Sequence, residues 1–217
     1  MLSLPLTNES ISKINNPEWI LVYSTIEHLK QENLDLLVNK FPNTPVFGTT
    51  SFNGVFTPDG FKKGSFILVG EQSDGIKAVS IMKEIKDDSN VFDLAVQSAQ
   101  ELKDKLGEVP DTILFHPTPG FEEKIISGLD KVFDSKVPVY GGSAADNSIE
   151  GNWKIHNQKS IINKGFLIVG FVIENHKFYG SFSSGYLPTQ NKGIVTKAEG
   201  RTIFETVSYT HLRAHET

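Results

Sequence analysis

Thr44-Pro45-Val46-Phe47-Gly48-Thr49-Thr50-Ser51 returns 93 positions later as Val137-Pro138-Val139-Tyr140-Gly141-Gly142-Ser143-Ala144. The echo extends upstream at the same spacing, where Trp19-Ile20-Leu21-Val22-Tyr23-Ser24-Thr25 matches Thr112-Ile113-Leu114-Phe115-His116-Pro117-Thr118. Downstream, Phe66-Ile67-Leu68-Val69-Gly70 matches Phe166-Leu167-Ile168-Val169-Gly170, and Lys77 matches Lys177, both 100 apart. An offset that grows from 93 to 100 with the order kept implies one unit, duplicated, with a short insertion in its second copy. The expected fold is α/β: two duplicated βαββ-type repeats forming mixed sheets with helices packed outside. Repeat 1 spans about 16–107 and repeat 2 about 108–206.

Each repeat opens on a short apolar run of strand formers, Ile20–Tyr23 in the first. Leu34, Leu37, Val38 and Phe41 then fall at the spacing of an amphipathic helix, which Pro42 and Pro45 close. Val46-Phe47 predicts a second strand ending at Gly48, and Thr57-Pro58-Asp59-Gly60 a tight turn. Phe66–Val69 and Ala78–Met82 follow as expected neighbouring strands. A helix over 90–106 joins the repeats, with Ser89 as N-cap, Phe92, Ala95, Ala99, Leu102 and Leu106 as its apolar stripe, and Gly107 as its stop. In repeat 2, Thr118 is the expected cap of a helix whose inner face carries Ile125, Leu129, Val132 and Phe133. Trp153–Asn157 and Ser160–Val172 predict an enlarged hairpin, 178–183 a last strand, and Gly193–Thr196 one more strand leading towards a helix that truncation of the natural protein removes.

The hydrophobic content of 38% is that of a globular protein, and a net charge of −5 with scattered lysines argues against a nucleic-acid surface. The absence of cysteine removes disulfides, thiol nucleophiles and Cys-ligated metals. No stretch approaches membrane-spanning length and no secretory signal opens the chain, so the expected compartment is cytoplasmic, away from membranes. The last eleven residues, Val207-Ser208-Tyr209-Thr210-His211-Leu212-Arg213-Ala214-His215-Glu216-Thr217, resemble a translated sequencing-library adapter. They are set aside from fold reasoning, and one domain is expected over 1–206, continuing further in the natural protein.

The paired turns are the expected site. In α/β sheets ligands sit beyond the carboxyl ends of strands, where glycine allows close backbone approach and exposed N–H groups can receive an anion. The candidates are Gly48, Thr49, Thr50 and Ser51 from one copy, and Gly141, Gly142, Ser143 and Asp146 from the other. Asp146 could pair with an ammonium group. His116 joins them because it ends a buried strand beside the turns, although a core histidine satisfied by a backbone carbonyl is the more natural reading. Ser143, His116 and Asp146 supply the residue types of a hydrolytic triad, but no spacing requires them to bond. There is no Gly-x-Gly-x-x-Gly, no phosphate-binding loop and no Gly-x-Ser-x-Gly elbow. His28, His116, His156 and His176 lack metal-ligand spacing. A binding module rather than an enzyme is therefore expected, with no metal.

Four elements in this order resemble the FIST domain, from about Asn16 to Thr206. Gly48-Thr49-Thr50-Ser51-Phe52-Asn53-Gly54 is similar to that family's Gly-Cys/Thr-Thr-x-x-Gly turn, one residue longer. Gly141-Gly142-Ser143-Ala144-Ala145-Asp146 is similar to its Gly-Gly-x-Ala-x-Asp turn. Gly185-Tyr186-Leu187-Pro188 and Val195-Thr196-Lys197-Ala198-Glu199-Gly200 complete the set. The resemblance implies a cytoplasmic sensory module that binds a small molecule, such as an amino acid. Its output partner would be a histidine kinase, a chemotaxis receptor or a cyclic-dinucleotide enzyme. It also implies an alternative, a haem-binding nitric-oxide sensor with an axial histidine, for which His116 and His176 are the candidates.

Overall fold

The computed structural model describes residues 2–71, 75–181, 186, 187, 189 and 192–208. They divide into one unit up to Tyr179 and a second from Gly180 onward. The first unit runs β1 (Leu2–Pro5), α1 (Asn8–Ser12), β2 (Pro17–Ser24), α2 (Gln31–Lys40), β3 (Val46–Thr50), the hairpin β4 (Val55–Thr57) and β5 (Gly60–Lys62), then β6 (Ser65–Glu71). It continues β7 (Ile76–Glu84), α3 (Val91–Leu106), β8 (Thr112–Pro117), α4 (Glu122–Phe133), β9 (Val139–Gly141), β10 (Ile155–Asn157), β11 (Ile161–Ile162) and β12 (Gly165–Ile173). Among the described residues no helix is long and apolar enough to cross a membrane.

The strands make two mixed sheets, ordered β1-β6-β2-β3-β10-β11 and β7-β12-β8-β9. The run β1-β6-β2-β3 has the same order and sense as β7-β12-β8-β9. In each, the third and fourth strands are parallel and the other pairs antiparallel. The matched runs therefore begin a strand and a helix earlier than the periodicity suggested. This corrects one expectation: β6 and β7 are not neighbours. β1 takes the outer edge of β6, and β7 takes the equivalent edge of β12.

Side-chain alternation along the strands builds four layers. Ile20, Val22, Val46, Ile67 and Val69 face α1 and α2, packing on Ile11, Ile14, Leu34 and Leu37. Ile81, Ile113, Phe115, Phe166 and Ile168 face α3 and α4 through Ala95, Leu102, Ile125 and Leu129. The alternate residues, Trp19, Leu21 and Phe47 on one sheet and Leu167, Val169 and Phe171 on the other, fill the space between the sheets. Each fully buried Leu, Ile or Phe contributes about 1.5–3 kcal/mol, so the three clusters together hold the layers.

Register refines the internal match. Ile20 sits opposite Val69 and Ile113 opposite Gly170, so β6 and β12 correspond with an offset of 101, not 100. The one-residue slip reverses which face each side chain takes. Ile67 and Val69 face helices, as do Phe166 and Ile168. The 93-residue offset holds: Val22 pairs with Gly48 as Phe115 pairs with Gly141.

Several local expectations shift. β3 runs through Gly48 to Thr50 instead of stopping at the glycine. The N-cap of α3 is Asn90, because Ser89 donates to Asp87 in the preceding 3-10 turn. Phe92 lies on the exposed side of α3, and Val91 holds the buried position. Thr118 does not cap α4; its hydroxyl bonds the Gly165 backbone, tying β8 to β12. No strand forms over Phe178–Ser181, and 182 and 183 lie outside the described residues. In the second unit, β13 (Gly193–Glu199) turns back as β14 (Thr202–Ser208). β14 takes in Val207 and Ser208 of the tail set aside above; 209–217, Gly185 and Pro188 lie outside the described residues.

Candidate functional site

Tyr23 and His116 are the penultimate residues of β2 and β8. These two residues occupy matched positions, 93 apart, and they touch. The Tyr23 hydroxyl lies 2.8 Å from His116 Nε2, with the rings edge-on at 5.4 Å. His116 Nδ1 lies 2.9 Å from the Gly142 carbonyl. A carbonyl only accepts, so Nδ1 carries the hydrogen. Burial drives the His116 pKa down to about 4, against which the Gly142 carbonyl works, so the ring is neutral at neutral pH. Nε2 therefore accepts from Tyr23, whose own pKa burial pushes up to about 12. The result is a directed relay from Tyr23 to His116 to the Gly142 carbonyl.

Tyr23 also lines an apolar cavity of about 280 Å³ between the sheets. Trp19 and Leu21 of β2 with Leu68 of β6 form one wall, and Leu114 of β8 with Phe171 and Ile173 of β12 the other. Tyr140 and Phe178 line the same cavity with rings 5.1 Å apart, and Phe178, half-exposed, marks its open side. Trp19 packs edge-on against Phe171 at 5.4 Å and donates Nε1–H to the Ile76 carbonyl. Thr112 donates its hydroxyl to the Pro138 carbonyl.

The paired glycines have a packing role. A Cβ on Gly48 would collide with the Val22 carbonyl, and one on Gly141 with the Phe115 carbonyl. Val22 and Phe115 are matched positions, so each glycine lets a parallel neighbour approach in the same way. Behind Gly48 lies His156, fully buried, with Nε2 3.3 Å from the Val22 carbonyl. Its Nδ1 has no hydrogen-bond partner among the described residues, and burial lowers its pKa to about 4.

The remaining predicted residues come together, but largely by binding one another's backbone. After Gly142 the chain crosses to β3, where Ala145 N–H donates to the Thr50 carbonyl at 3.0 Å. The Thr50 N–H donates to the Lys154 carbonyl, while the Thr50 hydroxyl accepts from the Lys154 N–H at 2.9 Å. The Thr49 hydroxyl donates to the same carbonyl at 3.2 Å. Ser51 donates to the Gly54 carbonyl. Asp146, buried, accepts from the backbone N–H groups of Ile149, Glu150 and Asn152. Desolvation opposes its ionisation, but these donors hold the carboxyl below its ordinary range. Ser143 is exposed and donates to Glu122 Oε1 at 2.6 Å. None of Ser143, His116 and Asp146 bonds another, so the three do not stand as a triad.

Both ring nitrogens of His116 are engaged, and a haem iron at Nε2 would have to displace Tyr23. His116 as it stands therefore offers no free ring nitrogen for an axial bond. His176 is exposed and borders a hollow of about 290 Å³ that shares Thr112, Tyr140, Ile173 and Phe178 with the cavity and adds Asp111, Lys177 and Tyr179.

Sequence reasoning missed Tyr23, Trp19, Tyr140 and Phe178. The signal for Tyr23 was present, since the 93-residue match aligns it with His116 and matched positions near a two-fold axis meet each other. Comparison with protein families matches the FIST N domain over residues 18–205. Comparison with curated proteins gives no match.

Proposed function

Given that the chain belongs to the FIST family, a sensory family of signal transduction, we propose that it holds a small molecule between its two sheets and reports occupancy at the Gly141–Ser143 turn. The observation that carries this reading is the Tyr23–His116–Gly142 relay, which begins on the cavity wall and ends on the turn. An apolar cavity of about 150 Å³ in another protein stays dry and binds benzene. The present one is larger, at about 280 Å³, and partly open. A ligand that moves the Tyr23 ring changes the partner of His116 Nε2, and the imidazole in turn grips or releases the Gly142 carbonyl. Occupancy then shifts the population of turn conformers by the ligand's difference in affinity for them.

The polar residues of the paired turns frame this seat rather than contact the ligand, because backbone partners already engage Thr49, Thr50 and Asp146. The turn and the shallow hollow beside it, about 330 Å³ and bordered by Glu122, Ile126 and Tyr140, offer the surface for an output partner. A histidine kinase, chemotaxis receptor or cyclic-dinucleotide enzyme would meet it there.

The test is a thermal-shift screen of a small-molecule library on the wild type and on Leu114→Phe, which fills the cavity. At a hundredfold excess over Kd a true ligand adds about 2.7 kcal/mol to the wild type and little to the variant. Saturation should also move the amide resonances of Gly141, Gly142 and Ser143. Equal stabilisation of both proteins, or unmoved turn resonances, refutes the assignment.

A further inference from the structure

Resting on that reading of the cavity, we infer the chemical class of its occupant: a neutral, compact aromatic molecule with a single N–H or O–H donor, of the phenol or indole type. Shape and composition come first. Trp19, Tyr23, Tyr140, Phe171 and Phe178 present five rings to one cavity of about 280 Å³, which favours edge-on and offset contacts with a flat guest. No charged side chain lines it. A carboxylate, ammonium or phosphate placed there would be buried without a partner, which is strongly unfavourable. Free amino acids, as zwitterions, are therefore the wrong class for this seat.

The polar groups narrow the class further. Trp19 Nε1–H is given to the Ile76 carbonyl, and the Thr112 hydroxyl hydrogen to the Pro138 carbonyl. The Tyr23 hydrogen goes to His116 Nε2. These three donors are thus engaged, whereas the Tyr23 oxygen keeps its acceptor capacity after donating. A guest with one donor satisfies that oxygen. Accepting a bond also makes the Tyr23 hydroxyl a better donor to His116, so this class strengthens the relay.

The experiment is calorimetric titration of the whole chain with three probes: indole, its donor-free isostere indene, and zwitterionic tryptophan. Indole should bind roughly three- to tenfold more tightly than indene, the worth of one net hydrogen bond. Tryptophan should give no heat of binding. In Tyr23→Phe, which keeps the ring, the preference for indole over indene should disappear; Leu114→Phe should abolish both. Equal affinities for indole and indene in the wild type would overturn the donor assignment. If the library screen yields instead a charged ligand that Leu114→Phe excludes, the aromatic class falls while the cavity remains the sensor site. If neither these probes nor any library member binds, both readings fall.

Discussion

His116 and His156 make the fold acid-labile in a window set by their own burial. Both pKa values fall from 6.5 to about 4 on folding, first through desolvation. A base whose folded pKa is depressed has no effect at neutral pH, where it is unprotonated in both states. As pH drops below 6.5 the unfolded chain binds a proton that the native chain refuses, so stability declines until about pH 4. Each such proton is worth about 1.4 kcal/mol per pH unit. Across pH 6.5 to 5 the pair should cost roughly 3 kcal/mol, a large share of a typical 5–15 kcal/mol. With a urea m-value of about 2–3 kcal/mol/M, the unfolding midpoint should fall by about 1–1.5 M. His116→Gln should lose about half as much over the same window. Carboxylates held low, such as Glu101 beside Lys105 and Lys83, add their own loss only at lower pH. A change below about 1 kcal/mol between pH 6.5 and 5, or native imidazole resonances titrating near 6.5, would refute the reasoning.

Further outcomes can be checked directly. Tyr23→Phe strands His116 Nε2 in a buried site and should cost about 1–3 kcal/mol, lowering Tm by several degrees in calorimetry; an unchanged Tm would mean the relay bond contributes nothing. Gly48→Ala and Gly141→Ala push a Cβ into a neighbouring carbonyl and should each cost about 1–3 kcal/mol or more. Gly142→Ala meets open space and should stay within about 0.5 kcal/mol by denaturant titration, so an equal cost at 141 and 142 would contradict the packing account. Asp146→Ala frees three backbone N–H groups, so hydrogen exchange at Ile149, Glu150 and Asn152 should accelerate. Unaltered exchange at those amides would show that another group holds the loop.

The legible parts of the fold were those written in local pattern. Short apolar runs marked β2, β3, β8 and β9, those of β3 and β9 leading to a glycine, and the 93-residue offset placed Gly48 and Gly141 at the same register, as observed. The apolar spacing of Leu34 and Leu37, and of Ile125 and Leu129, located the buried faces of α2 and α4. What escaped was non-local. The exchange of edges that seats β7 beside β12 depends on β1, whose partner lies more than sixty residues away. The offset of 101 in the last strand was hidden because Phe-x-x-Val-Gly also matches at 100, and letters do not record which face a side chain takes. At the site, the chemistry inferred for Thr49, Thr50 and Asp146 was open to a bland competitor. Polar side chains near a turn satisfy backbone as readily as ligand, and only the closure of 146–154 onto β3 reveals which.

β10 completes the edge of β3, with Ile155 against Thr49 and His156 against Gly48. That seam has a consequence for synthesis on the ribosome. Emerging at about 5–20 residues per second, β3 waits on the order of 5 to 20 s before its partner is made. Throughout that interval a strand that is fully buried in the finished fold offers its amide and carbonyl groups to any neighbouring nascent chain. Translation speed between codons 50 and 155, rather than the stability of the finished protein, should therefore govern how much of it escapes aggregation.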